Sequence, residues 1–219
     1  MSRAQGAINA PAFDQAFLED FETLLQWRRD VRHFRRDPVP SDLIERLLSL
    51  ARYSPSVGLS EPWRFVLVET PSRRDLVRRS FAACNEHALQ GYDGDQAKLY
   101  ASLKLSGLDD APVHLAVFAE SDPEQGAGLG RATMPETLCY SVVSAIQTLW
   151  LAARAHGLGL GWVSILDPAE VAQACDAPTS WKLVAYLCIG YPDQSADTPE
   201  LQRMGWEKRQ SAKTKIYRV

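Results

Sequence analysis

Residues 135–165 read PETLCYSVVSAIQTLWLAARAHGLGLGWVSI and contain the strongest indication of the fold. Apolar residues recur here at intervals of three and four from about Pro135 to His156, and this spacing predicts a long helix. The helix has few charges and is apolar around much of its circumference, which is typical of a central, buried helix. Gly157 predicts its end. The segment Leu160–Ile165 that follows predicts a strand.

Helices and strands alternate on both sides of this stretch. Short apolar runs predict four strands in all, at Arg64–Glu69, Val113–Ala119, Leu160–Ile165 and Lys182–Gly190. Helix signals lie between them: an amphipathic N-terminal helix ending near Trp27, an N-cap at Ser41, Thr70-Pro71, and Asp167-Pro168-Ala169-Glu170. No internal repeat or linker is visible, so the pattern predicts one α/β or α+β domain.

The composition excludes several classes of protein. The 219 residues are 46% hydrophobic and 23% charged with a net charge of −3, which is ordinary globular usage without the basic surplus of a nucleic-acid binder. No apolar run is long enough for a membrane span, and the first dozen residues lack the layout of a secretory signal, so we expect a cytoplasmic protein. The four cysteines are widely scattered, which argues against a metal site.

The densest charged motif is Arg28-Arg29-Asp30-Val31-Arg32-His33-Phe34, directly after the first helix. Arg28 and Arg32 are four residues apart, so on a helical turn they would share a face and could hold one anion. A guanidinium group can bind two oxygens of a phosphate at once, through two parallel hydrogen bonds. The alternative is a solvated basic face in which Asp30 serves only as an ion-pair partner.

Two further motifs are candidate ligand sites. The loop Tyr53–Phe65 (YSPSVGLSEPWRF) offers hydroxyl and backbone N–H groups that can bond the rim of a flat heterocycle, with Trp63 packing beside it. The run Gly157-Leu158-Gly159-Leu160-Gly161 precedes a strand, the reverse of a dinucleotide fingerprint, but its glycines can let the backbone approach a ligand closely. Each motif has a plain alternative: a helix-to-strand connection for the loop, and a helix end followed by a strand for the glycines.

Taken together, R-R-D-V-R-x-F, P-S-V-G-x-x-x-P-W-x-F and G-x-G-x-G-W-V-S resemble the nitroreductase-like flavoprotein family in order and spacing. The resemblance covers approximately residues 18–209. It implies an α+β fold in three layers, with a central, mostly antiparallel sheet flanked by helices and FMN bound at a homodimer interface. It also implies an N-terminal extension, residues 1–17, before a single FMN-binding domain, residues 18–219.

Two departures from the common family pattern favour one subgroup. General nitroreductases usually have Ser where this chain has Asp30, and Asn where Gly58 or Leu59 falls. The resemblance is strongest to the members that consume their flavin. In those, reduced FMN reacts with O2 and is fragmented to 5,6-dimethylbenzimidazole, the lower ligand of cobalamin (vitamin B12), with erythrose 4-phosphate as the co-product.

The resemblance also implies roles for individual residues. Asp30 would be the acid/base group and Ser164 would position a reacting atom. The expected FMN contacts are Arg28, Arg29, Asp30, Val31, Arg32, Ser56, Lys104, Val163, Ser164 and Arg209. Lys104 is equally well explained as an exposed lysine. Residues 92–108 are the candidate lid over the flavin. The expected partners are FMNH2, O2 and a second copy of the chain, with a separate flavin reductase as a further possible partner, and no metal, membrane or nucleic acid.

Two other functions fit the same motifs. One is an NAD(P)H-dependent nitroreductase or flavin reductase that retains and recycles FMN. The other is a non-catalytic FMN carrier or sensor.

Overall fold

The computed structural model describes residues 10–103 and 106–219. Its sheet has four strands in the order β1-β2-β4-β3, and every neighbouring pair is antiparallel. The strands are β1 (Trp63–Leu67), β2 (Val113–Glu120), β3 (Gly159–Val163) and β4 (Trp181–Gly190). All four predicted strands are therefore present. Their ends differ from the prediction by one or two residues, which is the usual uncertainty of element boundaries.

Eight α-helices accompany this sheet in the described residues. They are α1 (Gln15–Trp27), α2 (Ser41–Leu50), α3 (Pro71–Leu89), α4 (Gly94–Ser102), α5 (Gly107–Asp110), α6 (Thr137–Ala155), α7 (Pro168–Ala174) and α8 (Glu200–Arg203). Eight residues of α6 are buried, which confirms the prediction of a central helix.

Most of the predicted helix signals act as expected. Asp167 accepts hydrogen bonds from the backbone N–H groups of Ala169 and Glu170, and Pro71 occupies the first turn of α3. Gly157 follows α6 with a φ of 77°, a left-handed conformation that a glycine adopts without strain. Ser41, however, is not an N-cap: it is the first helical residue, and Pro40 holds the cap position without a side-chain bond.

The two faces of the sheet carry separate cores, which confirms the three-layer arrangement. In β2, Leu115 and Val117 belong to the core under α2 and α6. The alternate residues Ala116 and Phe118 belong to the core shared with α3 and α7. This alternation follows from the two-residue period of a strand.

Helix α1 differs from the other long helices because none of its residues is buried. Phe13, Phe17 and Phe21 stack along one exposed side, with ring centroids 4.5 and 6.3 Å apart. The predicted boundary after residue 17 falls within this helix, and the division into extension and domain stays a prediction.

The described helices include none that is both long and apolar enough to cross a bilayer. The four cysteines are all free thiols. Burial raises the pKa of Cys188 to about 12 and that of Cys175 to about 11, so both thiols are protonated at neutral pH.

A polar pair is buried between the sheet and α3. The ring of His114 is 1% exposed, and its Nδ1 atom lies 2.9 Å from the hydroxyl of Tyr186. Burial lowers the pKa of His114 to about 3, and the nearby cations Arg74 and Arg78 add to the shift. The imidazole is therefore neutral in the folded protein at physiological pH.

This burial predicts a specific acid sensitivity. Between pH 6.5 and about 3 the unfolded chain binds a proton at His114 and the folded chain does not, so the stability of the folded state falls as the pH falls. His114→Gln keeps a polar partner for Tyr186 and removes the titration. We expect the stability of the wild type relative to this variant to decrease by about 1.4 kcal/mol per pH unit between pH 6 and 4. Urea unfolding at several pH values measures this, and parallel profiles would contradict it.

Candidate functional site

The basic motif is fixed to the edge of the sheet rather than to a helix. Residue Asp30 forms a parallel bridge with Leu160 of β3, and the N–H of Val31 donates to the carbonyl oxygen of Leu160 at 3.1 Å. The carboxylate oxygen Oδ1 of Asp30 accepts from the backbone N–H of Trp162 at 2.8 Å. The segment 30–31 therefore lies against β3 along its free edge.

The glycines of β3 make this contact possible. A Cβ on residue 161 would lie less than 3.0 Å from the carbonyl oxygen of Val31, and one on residue 159 would meet the Val31 side chain at 2.7 Å. The close approach expected at these glycines does occur, but the approaching group is the chain's own Val31. The plain alternative, a helix end followed by a strand, describes Gly157–Gly161 correctly.

The expected helical pairing of Arg28 and Arg32 is wrong. Helix α1 ends at Trp27, and Arg28 has the extended angles φ −69° and ψ 117°. In extended backbone every second side chain points to the same side, which groups Arg28 and Arg32 with Asp30. The two arginines are thus related through the carboxylate between them.

An arginine far along the chain, Arg209, comes close to Arg28 and Arg29 of this segment. Burial lowers the pKa of Arg28 and of Arg29. The positive charge of Arg209 is close enough to lower both pKa values further. The predicted participation of Arg209, 180 residues along the chain, agrees with this proximity. Like charges in such proximity repel each other unless an anion binds between them.

Arg28 and Arg29 differ in how far their guanidinium donors are already hydrogen-bonded. The guanidinium of Arg28 stacks over Trp150, 4.7 Å from the ring centroid, and makes no hydrogen bond or ion pair with any described residue. Arg29 is held by the chain itself, since its Nε donates to the carbonyl oxygen of Asp197 at 2.8 Å. Trp150 in turn donates from Nε1 to the carbonyl oxygen of Arg29 at 3.1 Å. Arg28 therefore has unused donors, whereas those of Arg29 are already bonded to the chain.

Asp30 combines partial exposure with an unfavourable environment for charge. Its side chain is 38% exposed in the single chain, and Oδ2 lies 3.7 Å from Nε of Arg32. Burial raises its pKa above the ordinary value, although the N–H of Trp162 and the charges of Arg32 and Arg28 oppose the rise. A raised pKa makes the carboxyl group a better proton acceptor than an ordinary aspartate, which is typical of acid/base groups in active sites.

An open cleft of about 400 Å³ lies beside Asp30. One wall is formed by the basic motif, including Asp30, Arg32 and His33, and the other by the C-terminal part of the chain, including Glu200 and Arg203. Both signs of charge line it. None of the described residues forms a cluster of three or more ligands able to hold a metal ion.

Three further predicted site residues, Val163, Ser164 and Lys104, belong to other parts of the chain than the basic motif. Ser164 is exposed just beyond the end of β3, about 7 Å of strand further along than Trp162. Val163, the last residue of β3, is buried. Lys104 lies outside the described residues.

The Ser56 loop and the basic motif contact different parts of α6. The N–H of Val57 donates to Oγ of Ser141 at 3.0 Å, in the first half of α6, whereas Arg28 stacks on Trp150 in the second half. Nine residues separate these contacts, or about 14 Å along the helix. Ser56 itself accepts from the N–H of Glu61 at 3.1 Å, which shapes the loop.

Sequence reasoning missed the residues that support the site. Trp150 reads as one more apolar residue of a buried helix, and nothing in the sequence indicates that Arg28 stacks on it. Asp197 bonds Arg29 through its backbone carbonyl, which carries no sequence signal. Ser106, whose hydroxyl donates to the carbonyl oxygen of Arg32 at 3.1 Å, is equally inconspicuous.

Comparison with known proteins assigns the class of this fold and site. Residues 25–191 match the model of the nitroreductase family. The chain belongs to that family, which confirms the resemblance inferred from the three motifs.

Particular relatives narrow the comparison. The 5,6-dimethylbenzimidazole synthase of Rhodospirillum rubrum is 53% identical over 199 residues, 91% of this chain and 94% of that protein. An enzyme of the same name from Rhodobacter capsulatus is 50% identical over 196 residues, 90% of this chain and 95% of its own.

Solved structures share the fold. Iodotyrosine deiodinase, in a crystal structure with FMN and 3-iodo-L-tyrosine, superposes with a TM-score of 0.68 at 26% identity, covering 80% of this chain and 91% of that one. A nitroreductase-like protein from Streptococcus mutans gives a TM-score of 0.70 at 18% identity, covering 92% and 98%. This second likeness concerns the fold alone.

Proposed function

We propose that this protein is a 5,6-dimethylbenzimidazole synthase, which uses O2 to fragment reduced FMN and releases erythrose 4-phosphate as the co-product. The observation that carries the proposal is Asp30, a carboxyl group with a raised pKa, set among arginines where general nitroreductases usually have Ser. Relatives of this name that are 46–53% identical over nine tenths of the chain support it.

The arginine cluster fits the phosphate of FMN. Four guanidinium groups, those of Arg28, Arg29, Arg32 and Arg209, face the two carboxylates of Asp30 and Asp197, which leaves an excess of two positive charges. A phosphate monoester carries a charge of about −2 at neutral pH. Arg28, with its unused donors, is the residue best placed to bind it bidentately.

Bound reduced flavin supplies the electrons for reaction with O2, and the protein's part is to bind, orient and move protons. Asp30 is fixed through Oδ1 by the N–H of Trp162, so Oδ2 is the oxygen left to take or give a proton. Its raised pKa favours acceptance of a proton relative to an ordinary aspartate. Ser164, exposed beyond β3, has a hydroxyl free to position a reacting atom.

The remaining flavin contacts and the partners belong to the same proposal. Val31 and Val163 would contact FMN from the basic motif and from the end of β3, and Lys104 would face the flavin's pyrimidine edge. Ser56 and its loop would line the isoalloxazine. A separate reductase would supply reduced FMN in the cytoplasm, and no metal takes part.

We further propose a homodimer with FMN at the subunit interface. The stacked rings of Phe13, Phe17 and Phe21 leave an apolar side of α1 uncovered in the single chain. Large exposed apolar patches of this kind mark sites of protein association. The Ser56 loop and Arg28 contact α6 at points about 14 Å apart along the helix, which is compatible with a flavin held by the loop of one copy and the basic motif of the other.

The direct test follows the fate of the flavin. Purified protein is mixed with chemically reduced FMN in air, and the products are separated by chromatography with mass detection. We expect a 5,6-dimethylbenzimidazole peak to rise as FMN disappears. Full recovery of oxidised FMN by flavin-binding protein would contradict the proposal and favour a recycling reductase or a carrier.

Asp30→Asn separates chemistry from binding in the same assay. We expect the rate of benzimidazole formation to fall by about 10²- to 10⁴-fold, the usual effect of removing an acid/base group. FMN affinity and stability at pH 7 should be retained, because a carboxylate with a raised pKa is penalised when ionised and Asn relieves that penalty. The matched control is Asp37→Asn, in an exposed ion pair with Arg35. Product formation by Asp30→Asn at the wild-type rate would remove Asp30 from the mechanism.

Arg28→Ala tests the phosphate site. Loss of a hydrogen bond to a charged group costs about 1.5–3 kcal/mol, so we expect FMN to bind about ten- to a hundredfold more weakly. The control is Arg36→Ala, which removes an exposed arginine of the neighbouring sequence that pairs with Asp110 at 2.7 Å. Titration by flavin fluorescence measures both. Equal affinities for the two variants would return Arg28 to a solvated basic face.

A further inference from the structure

One stretch of the chain, residues 197–209, contacts both the arginine cluster and the candidate lid. We call it the C-terminal segment. It begins at Asp197, passes through α8, and reaches Trp206 and Arg209. It also forms one wall of the cleft beside Asp30.

One end of this segment is hydrogen-bonded to the arginine cluster, and the other end lies close to it. At the first end, Arg29 donates from Nε to the carbonyl oxygen of Asp197 at 2.8 Å. At the other end, the charge of Arg209 lies close to those of Arg28 and Arg29. These three cations repel each other, so an anion bound between them would stabilise their approach.

Between these ends, Trp206 packs against the candidate lid. Its ring lies 5.5 Å from that of Tyr92 in an edge-on contact and 6.3 Å from that of Tyr100 on α4. The two tyrosines stack on each other at 4.8 Å. Such aromatic pairs contribute about 0.5–1.5 kcal/mol each beyond the area they bury.

His33 lies between Ser106, near the end of the candidate lid, and Glu200 of the C-terminal segment. The Nδ1 atom of His33 lies 2.9 Å from Oγ of Ser106, and its Nε2 atom lies 3.6 Å from the carboxylate of Glu200 in α8. Ser106 also donates to the carbonyl oxygen of Arg32. The C-terminal segment thus contacts the Tyr92–Tyr100 part of the lid directly through Trp206, and reaches Ser106 only through His33.

We infer that the C-terminal segment couples phosphate binding at the arginine cluster to the position of α4, with Trp206 as the positioning residue. An anion between Arg28, Arg29 and Arg209 removes their repulsion and holds Arg209 in place, three residues from the ring that packs on α4. A ligand shifts an equilibrium by its preference for one state, and here the phosphate prefers the state in which Trp206 is stacked. The inference rests on the proposed phosphate site and adds what that site controls.

The test measures how a phosphate ligand protects α4 from trypsin. Lys98 lies on α4 with its side chain 81% exposed, so cleavage after it reports opening of the helix. The full-length wild type, Trp206→Ala and Trp206→Phe are digested alone, with inorganic phosphate and with FMN. Inorganic phosphate is too small to cover α4 directly.

We expect both ligands to slow this cleavage about tenfold in the wild type and in Trp206→Phe, which is within the usual range of coupling between sites. In Trp206→Ala we expect less than about twofold protection. Since coupling is reciprocal, the affinity of Trp206→Ala for FMN should fall by about the same factor that its protection loses. A merely structural role for Trp206 would not link these two quantities.

Two results would overturn the inference. Equal protection of α4 in Trp206→Ala and in the wild type would show that the C-terminal segment does not carry the coupling. Binding of FMN to the wild type with no change in cleavage would do the same and leave the proposed function intact. Failure of the wild type to bind FMN at all would overturn both.

Discussion

The site depends on the contact between the backbone of Val31 and the face of Gly161. Any side chain at residue 161 would overlap the carbonyl oxygen of Val31, so the basic motif can lie on β3 only because that position is a glycine. Two hydrogen bonds then fix it: the N–H of Val31 to Leu160, and the N–H of Trp162 to the carboxylate of Asp30. A strand edge thereby orients the carboxylate and, on the same side of an extended chain, Arg28 and Arg32.

This arrangement explains how one short motif combines binding and proton transfer. The carboxylates of Asp30 and Asp197 do not neutralise all the arginines, which favours an anion, and the partial burial of the motif raises the pKa of Asp30. The two tasks thus have one physical origin. The C-terminal segment extends this arrangement, because the arginine that binds Asp197 and the tryptophan that packs on α4 belong to one connected set of contacts.

Much of this could be predicted from the sequence, and the failures have physical causes. Helix α6 and the four strands follow from apolar periodicity, and the family follows from three motifs in order. The end of α1 near Trp27 was predicted correctly, but the helical pairing of Arg28 and Arg32 failed because spacing alone does not reveal that the segment after the helix is extended and bridges to β3. The prediction that another group approaches the glycines of β3 closely was correct, but the sequence could not show that this group is Val31. The contacts of Trp150 and Trp206 depend on tertiary packing, which leaves no local pattern.

The measurement that tests this account most directly is Gly161→Ala, compared with Gly91→Ala, where a Cβ would meet only the carbonyl oxygen of Ala88 at 3.4 Å. We expect the first variant to lose about 1–3 kcal/mol of stability through overpacking. Its folded fraction should bind FMN at least tenfold more weakly and form no benzimidazole, because Asp30 and the arginines are displaced together. Gly91→Ala should match the wild type in both. A Gly161→Ala protein that binds FMN and forms product as the wild type does would contradict the account.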